Sequence, residues 1–200
     1  LYSVQLCKIS QKVVYGQIVS RTTIQTEPPV SIKMGQAIIK GNKLDGVVRK
    51  AVELGVGSIV LLQTERTVVK VSLDDHAKRH QRWQKIAGEA SKQCGRSVVP
   101  SIGNHVMSIE QFCAQCQDYG LKLVFWENEQ ETKLADLVSR TPITDIAFLI
   151  GPEGGFSPNE LATLGSMTFV TFIDLGPRIL RAETAAIAAV TIVNYHLNFN

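Results

Sequence analysis

A short apolar run that leads through a glycine-rich loop into a helix start constrains this chain more than any other feature. Residues 147–150 are typical of a strand buried on both faces, and Gly-Pro-Glu-Gly-Gly follows them. Ser157, Pro158 and Glu160 then form the pattern of a capping box with proline at the first helical position. Sheets of α/β proteins bind ligands at such carboxyl strand ends. From this stretch alone, a tight turn without a ligand is an equal alternative.

A second stretch repeats the order of strand, glycine loop and helix start, and this favours a binding site over a turn without a ligand. Residues 169–175 are rich in β-branched and aromatic side chains, and Gly-Pro-Arg-Ile-Leu-Arg follows at 176–181. A helical pattern then runs from Ala182 to about His196. Two strand ends that each open into glycine and proline can meet to form one pocket.

The middle of the chain alternates between helical and strand-like periods, which predicts an α/β fold with a parallel sheet. The predicted segments are a helix over 44–52 that ends at Gly55, a strand over 58–62, a long helix that begins at Asp74 or Asp75, a strand over 121–126 and a short helix over 133–140. Two shorter strand-like runs precede them, at residues 2–6 and 13–19.

Four blocks of sequence together resemble the signature of the RsmE family, the 16S ribosomal RNA uracil-N3 methyltransferases of the SPOUT superfamily. The two glycine loops supply Leu-Ile-Gly-Pro-Glu-Gly-Gly-Phe-Ser at 149–157 and Leu-Gly-Pro-Arg-Ile-Leu-Arg-Ala-Glu-Thr-Ala at 175–185. The other blocks are Lys-Gly-Asn-Lys-Leu-Asp at 40–45 with Lys-Ala-Val-Glu-Leu-Gly-Val at 50–56, and Glu-Ala-Ser-Lys-Gln-Cys-Gly-Arg at 89–96. The match covers roughly residues 34 to 196.

The resemblance implies a particular architecture. Residues 34–200 are expected to form a SPOUT-type parallel sheet with a C-terminal trefoil knot, although knots are nearly absent from proteins in general. Residues 1–33 are expected to be the remnant of a PUA-like RNA-binding β-barrel, with the boundary near Pro28-Pro29. The last helix is rich in alanine and apolar on all sides, which matches the threaded segment and the homodimer interface of the family.

The resemblance also implies S-adenosyl-L-methionine as the cofactor. The glycine loops can recognise its adenine through backbone groups. The predicted cofactor residues are Ile150, Gly151, Gly154, Leu175, Gly176, Ile179, Leu180 and Thr184. For Leu175 and Ile179, an ordinary core position remains a plausible alternative.

Methylation of uracil N3 requires removal of a proton and stabilisation of the charge left on the base. Arg181, Glu153 and Glu183 are the candidate catalytic residues in the two loops. A guanidinium can donate two parallel hydrogen bonds to an anionic base or a phosphate. Glu153 could accept a proton or orient the cofactor, and either glutamate could instead cap a helix N-terminus. The four histidines are scattered, which argues against a histidine base.

Basic side chains on the long helix are the candidate contacts to 16S ribosomal RNA. The predicted residues are Lys78, Arg82, Lys85, Lys92 and Arg96. A solvated helix face is the alternative. The net charge of +3 permits a nucleic-acid partner without requiring one.

The sequence gives little support to a metal site or a membrane segment. Cys113 and Cys116 form a C-x-x-C pattern, but no second pair accompanies it. No apolar run reaches the ~20 residues that span a bilayer, so a cytoplasmic location is expected.

The resemblance thus implies an S-adenosylmethionine-dependent methyltransferase that acts as a dimer on uracil N3 in the 16S RNA of the small ribosomal subunit. A ribosome-assembly protein that keeps the fold but lacks catalysis is the first alternative, and intact Arg181 and both glycine loops argue against it. An α/β phosphate-ester or acyl enzyme that uses a loop as an anion nest is the second. The absence of a Ser–His constellation argues against that alternative.

Overall fold

The computed structural model describes residues 1–23, 25–69, 73–129, 132–138 and 143–198. The N-terminal strands are β1 (Tyr2–Ile9) and β2 (Val14–Arg21). The remaining strands are β3 (Ser31–Ala37), β4 (Ser58–Leu62), β5 (Ser101–Ile102), β6 (Leu121–Phe125), β7 (Asp145–Ile150) and β8 (Thr171–Ile173). The helices are α1 (Lys43–Glu53), α2 (Leu73–Cys94), α3 (Ile109–Gln115), α4 (Leu134–Val138), α5 (Pro158–Ser166) and α6 (Ala182–Asn198).

Six of the described strands form one parallel sheet in the order β5-β4-β3-β7-β6-β8. The predicted α/β class is therefore confirmed. Strand β6 lies between β7 and β8, so the carboxyl ends of these three strands are neighbours. The chain passes from β3 outward to β4 and β5 and later returns to the other side of β3. Such reversals of strand order open a crevice at the carboxyl edge of a sheet.

Helices cover both faces of the sheet, which explains why its strands are continuous apolar runs. On one face, Met34 and Phe148 pack in a cluster with Val48 of α1, Trp83 of α2 and Ala189 of α6. On the other face, strand side chains pack against helices α3 and α5 in a second cluster. Central strands buried in this way hold the loops that follow them in fixed positions.

Most predicted element boundaries agree with the structure. The predicted strand over 58–62 coincides with β4, and helix α1 ends where Gly55 adopts a left-handed φ of +94°. Strand β8 is shorter than the predicted run over 169–175, because only Thr171–Ile173 pairs with β6. Helix α4 lies within the predicted segment, whose last two residues, 139 and 140, fall outside the described part of the chain.

The N-terminal strands pair with each other in antiparallel register, and every residue in them is exposed. This pair confirms the two predicted strands; the PUA-like barrel stays a prediction. The predicted boundary between residues 33 and 34 cuts through β3, which begins at Ser31. Val30 and Ile32 already belong to the core, so β3 is part of the sheet from its first residue; the division into two domains stays a prediction. Within the described ranges, no helix combines the length and apolar character that a membrane crossing requires.

Candidate functional site

The carboxyl ends of β7, β6 and β8 enclose a cavity of about 400 Å³. Both glycine loops contribute to it, as the sequence predicts. The lining also includes residues after β6 and the start of helix α6. The residues that line it are Lys43, Phe125, Trp126, Glu127, Ile150, Gly151, Pro152, Glu153, Gly155, Phe156, Leu175, Gly176, Arg178, Ile179, Leu180, Arg181, Ala182 and Ala185.

Neighbouring loops hold the first glycine loop in place. The backbone N–H of Lys40 donates to Glu153 Oε1 at 2.9 Å, and Arg66 Nη1 donates to the carbonyl oxygen of Gly154 at 2.9 Å. Gly155 has a φ of +67°, a conformation that favours glycine. The loop is therefore fixed by contacts from the segments that follow β3 and β4.

The capping box predicted after this loop is confirmed. Ser157 Oγ accepts from the N–H of Glu160 at 3.1 Å, and the Glu160 carboxylate accepts from the N–H of Ser157 at 2.8 Å. The same carboxylate accepts from the N–H of Glu65 at 2.8 Å. Buried Glu160 thus fixes the start of α5 and the loop after β4 together, which is a structural role.

The second glycine loop presents its backbone and several side chains to the cavity. Gly176 has a φ of +96°, and no described atom lies within 4 Å of the position that a Cβ would take. Ile179 is 86% exposed, so the core alternative is wrong for this residue. Leu175 is half-buried and packs against the core while it also lines the cavity. It is therefore both a core residue and a cavity residue.

The structure brings most predicted cofactor residues together and places two of them elsewhere. Ile150, Gly151, Leu175, Gly176, Ile179 and Leu180 all line the cavity. Gly154 does not: a Cβ there would lie 3.4 Å from Arg66 Cβ, so the glycine permits close approach of that side chain. Thr184 lies outside the lining, on an exposed position of α6.

The three predicted catalytic residues differ in their surroundings. Arg181 and Glu153 line the cavity, whereas Glu183 does not. The Glu183 carboxylate pairs with Lys43 Nζ at 3.0 Å. Its pKa is lowered, first because its own backbone N–H at the start of α6 donates to it, and then because of Lys43 and Arg181; partial burial opposes this. Glu183 is therefore held as an anion.

The sequence did not predict the contribution of the segment after β6. Phe125 at the end of β6, with Trp126 and Glu127 directly after it, lines the cavity between the two glycine loops. The N–H of Trp126 donates to the carbonyl oxygen of Ile173 at 2.9 Å, which ties this segment to β8. The strand itself is predicted, but no glycine or proline follows it to mark a site. Its place between β7 and β8 is a property of the sheet order.

The basic residues of the long helix have different partners. Arg82 pairs with Asp45 of α1, and Lys92 pairs with Glu89 at 3.1 Å. The side chain of Arg96 is only 6% exposed. Its guanidinium donates to Glu27 and to the carbonyl oxygens of Val52 and Val56 at 2.6 to 3.0 Å.

Arg96 is thus a correction to the predicted RNA-binding set. Its donors are used inside the protein, where they join the segment before β3 to the ends of α1 and α2. Sequence alone could not reveal this, because Glu27 lies 69 residues away in the chain.

The C-x-x-C pair lies on the face of the sheet that helices α3 and α5 cover. Cys113 and Cys116 are buried in the cluster around α3. Burial raises the pKa of the Cys113 thiol to about 11 and also raises the pKa of Cys116. Among the described residues, no three histidine, cysteine or acidic side chains are grouped so that they could hold a metal ion.

The parallel sheet carries one cavity at its carboxyl edge, and glycine loops surround it. These features are typical of α/β domains that bind a small organic ligand in a crevice between loops. Comparison with known proteins identifies the family within that class. Residues 26–194 match the family model described as the RNA methyltransferase domain. Ribosomal RNA small subunit methyltransferase E of Bacillus subtilis is 32% identical over 196 residues, which cover 96% of this chain and 76% of that protein.

Solved structures give the same result. Ribosomal RNA small subunit methyltransferase E from Neisseria gonorrhoeae, bound to S-adenosyl methionine, is 31% identical with a TM-score of 0.83 over 96% of this chain and 77% of that one. A Legionella pneumophila methyltransferase in complex with the same cofactor is 34% identical, with a TM-score of 0.84 over the same shares. The chain belongs to the ribosomal RNA small subunit methyltransferase E family.

Proposed function

We propose that this protein is an S-adenosylmethionine-dependent methyltransferase that modifies uracil N3 in the 16S ribosomal RNA of the small subunit. The observation that carries the proposal is the cavity formed by both glycine loops and the end of β6. The Neisseria and Legionella relatives, whose structures contain S-adenosylmethionine, support the choice of cofactor. The cytoplasm, where ribosomes assemble, is the compartment that we propose.

The cavity has the size and the lining that this cofactor needs. Its volume of about 400 Å³ lies within the range of roughly 300–1,000 Å³ typical of small-molecule sites. Apolar side chains such as Ile150 and Leu180 can cover the adenine, and the open backbone at Gly176 can approach it closely. When bound, S-adenosylmethionine supplies an activated methyl group.

Arg181 is the residue that we assign to the charge on the base. It lines the cavity from the start of α6 and is exposed towards solvent, where an RNA base can reach it. Loss of the N3 proton leaves negative charge on the flanking uracil oxygens, and a guanidinium there stabilises that charge. The guanidinium can donate to one of the oxygens that flank N3, which leaves the N3 lone pair free to attack the methyl group.

The two glutamates receive different roles. One carboxylate oxygen of Glu153 accepts the N–H of Lys40, and Glu153 lines the cavity. We assign its second oxygen to the N3 proton or to the orientation of the cofactor. Glu183, held by Lys43 outside the lining, acts as an anchor for the start of α6, so the capping alternative is favoured for it.

RNA contact is assigned to the exposed part of the basic helix. Lys78 and Lys85 are exposed on α2, seven residues apart, and therefore lie on one helix face. Arg82 and Lys92 are also exposed but pair with acidic side chains. Lysine side chains bind RNA phosphates independently of the base sequence. The affinity for RNA should therefore fall steeply as the salt concentration rises.

A homodimer and a C-terminal knot complete the proposal. One side of α6 packs in the core, while Ile187 and Ile192 are only half-buried and Tyr195 is 58% exposed. A second copy of the chain would cover this apolar side. The knot is proposed from the resemblance to the family alone, whose threaded segment the alanine-rich start of α6 matches.

Titration calorimetry of the purified protein with S-adenosylmethionine, and separately with ATP, tests the proposed function. We expect saturable binding of S-adenosylmethionine in the absence of RNA, because both glycine loops and the end of β6 belong to the same chain. Binding of ATP without binding of S-adenosylmethionine would favour the nucleotide or phosphate-ester alternative and contradict the proposal.

A further inference from the structure

Glu127 occupies a central position in the cavity. It follows β6, the strand between β7 and β8, and therefore lies between the two glycine loops. A Cβ at Gly155 would be 3.2 Å from Glu127 Oε1, a distance tighter than most real contacts. The first glycine loop thus leaves room for this carboxylate to lie against it.

The charges of the cavity set Glu127 apart from the other acidic residue there. The charged lining residues are Lys43, Glu127, Glu153, Arg178 and Arg181. Lys43 is paired with Glu183, and one oxygen of Glu153 accepts the N–H of Lys40. Glu127 makes no hydrogen bond or ion pair with any residue that the structure describes. It offers the cavity a carboxyl group that no described residue contacts through a hydrogen bond.

A carboxylate that a ligand removes from water requires compensation by a donor or a cation. S-adenosylmethionine carries two positive groups, its sulfonium and its amino group, and one carboxylate. Arg178 and Arg181 have the sign that suits the carboxylate of the cofactor and the RNA. Glu127 and Glu153 are the acidic residues in the lining, and of these two only Glu127 has no hydrogen bond or ion pair with a described residue.

We propose that Glu127 is the specificity residue that recognises the positive charge of the cofactor, an assignment that rests on the proposed function. It stabilises the bound cofactor before methyl transfer. Because positive charge at the sulfur declines during transfer, a carboxylate there contributes to cofactor affinity and not to the saturated rate. Glu127 in this respect differs from Arg181.

Calorimetry with three ligands tests the assignment on Glu127→Gln, wild type and Asp118→Asn. The ligands are S-adenosylmethionine, S-adenosylhomocysteine, which lacks the sulfonium, and 5′-methylthioadenosine, which lacks both cationic groups. Asp118 is an exposed acid at the other end of β6, so its variant matches the change in net charge. We expect Glu127→Gln to lose about tenfold in affinity for S-adenosylmethionine, the effect of a hydrogen bond to a charged group.

The other ligands locate the contact. Affinity for 5′-methylthioadenosine should stay within about twofold of wild type, since no charge-assisted hydrogen bond is lost. If Glu127→Gln loses as much affinity for S-adenosylhomocysteine as for S-adenosylmethionine, Glu127 contacts the amino group. If its affinity for S-adenosylhomocysteine is unchanged, Glu127 contacts the sulfonium. Unchanged S-adenosylmethionine affinity, or an equal loss for all three ligands, would overturn the assignment. Absence of S-adenosylmethionine binding by the wild type would instead contradict the proposed function.

Discussion

Replacement of Arg96 by alanine should destabilise the protein strongly, although the sequence places this residue in a basic segment. The guanidinium bonds to Glu27 at 2.6 and 3.0 Å and to the carbonyl oxygens of Val52 and Val56 at 2.9 and 2.8 Å. Glu27 also accepts the N–H groups of Ser97 and Val98 at 3.1 Å. Arg96→Ala would leave two carbonyl oxygens and a carboxylate without these donors.

The size of the effect follows from the burial of the pair. Removal of one partner of a buried ion pair costs about 3–5 kcal/mol. Because the side chain of Glu27 is 27% exposed, water can compensate in part, and we expect the lower value of about 3 kcal/mol. For a chain of this size, each kcal/mol lowers Tm by about 2–4 °C. The expected fall in Tm is therefore about 6–12 °C.

Glu27 gives the effect a pH dependence. Burial would raise its pKa, but hydrogen bonds from Arg96, Val98 and Ser97 and the charge of Arg96 together hold the pKa below its ordinary value of 4.5. A carboxyl whose pKa is lowered on folding stabilises the fold above its unfolded pKa and loses this contribution as pH falls through the folded pKa. The stability difference between wild type and Arg96→Ala should thus be full at pH 7 and narrow below about pH 4.5.

Thermal and urea denaturation of wild type, Arg96→Ala and Arg82→Ala at pH 7 and pH 4 measure these quantities. The exposed pair of Arg82 with Asp45 should contribute no more than about 1 kcal/mol. Wild-type stability in Arg96→Ala, together with weaker RNA binding, would refute the structural role and restore Arg96 to the RNA surface.

Three further outcomes follow from the site and the core. Arg181→Ala should lower the single-turnover rate at saturating cofactor by a factor of ~10² to 10³ and keep cofactor affinity within about threefold; a collapse of affinity with an intact rate would make Arg181 a cofactor residue. Gly176→Val should abolish S-adenosylmethionine binding in calorimetry, whereas Gly95→Val, also at positive φ in open space, should keep it. Cys113 and Cys116 should not react with a thiol reagent at pH 8 until denaturant is added, because burial raises their pKa values; rapid native labelling would contradict this.

Features that depend on neighbours in sequence were predictable. The capping box at Ser157 and Glu160 depends on four consecutive residues, and the left-handed turn at Gly55 depends on glycine itself. Both glycine loops follow apolar runs whose length and composition indicate buried strands. These local signals are sufficient to predict the α/β class and most of the cavity lining.

Features that depend on sheet order or on distant partners were not predictable in this way. Trp126 and Glu127 enter the site because β6 lies between β7 and β8, and periodicity does not encode strand order. Arg96 and Glu27 meet across 69 residues of chain. The sequence therefore shows that both residues are charged, but it does not show that they form a buried ion pair with each other.

Methylation of small ribosomal subunits by the purified protein measures the proposed activity itself. Subunits whose 16S RNA lacks the modification would be incubated with isotopically labelled S-adenosylmethionine, with wild type or Arg181→Ala, and the RNA digested for mass spectrometry. We expect one labelled 3-methyluridine per subunit with the wild type and a rate at least ~100-fold lower with the variant. Label on another atom or base, or no label despite cofactor binding, would contradict it.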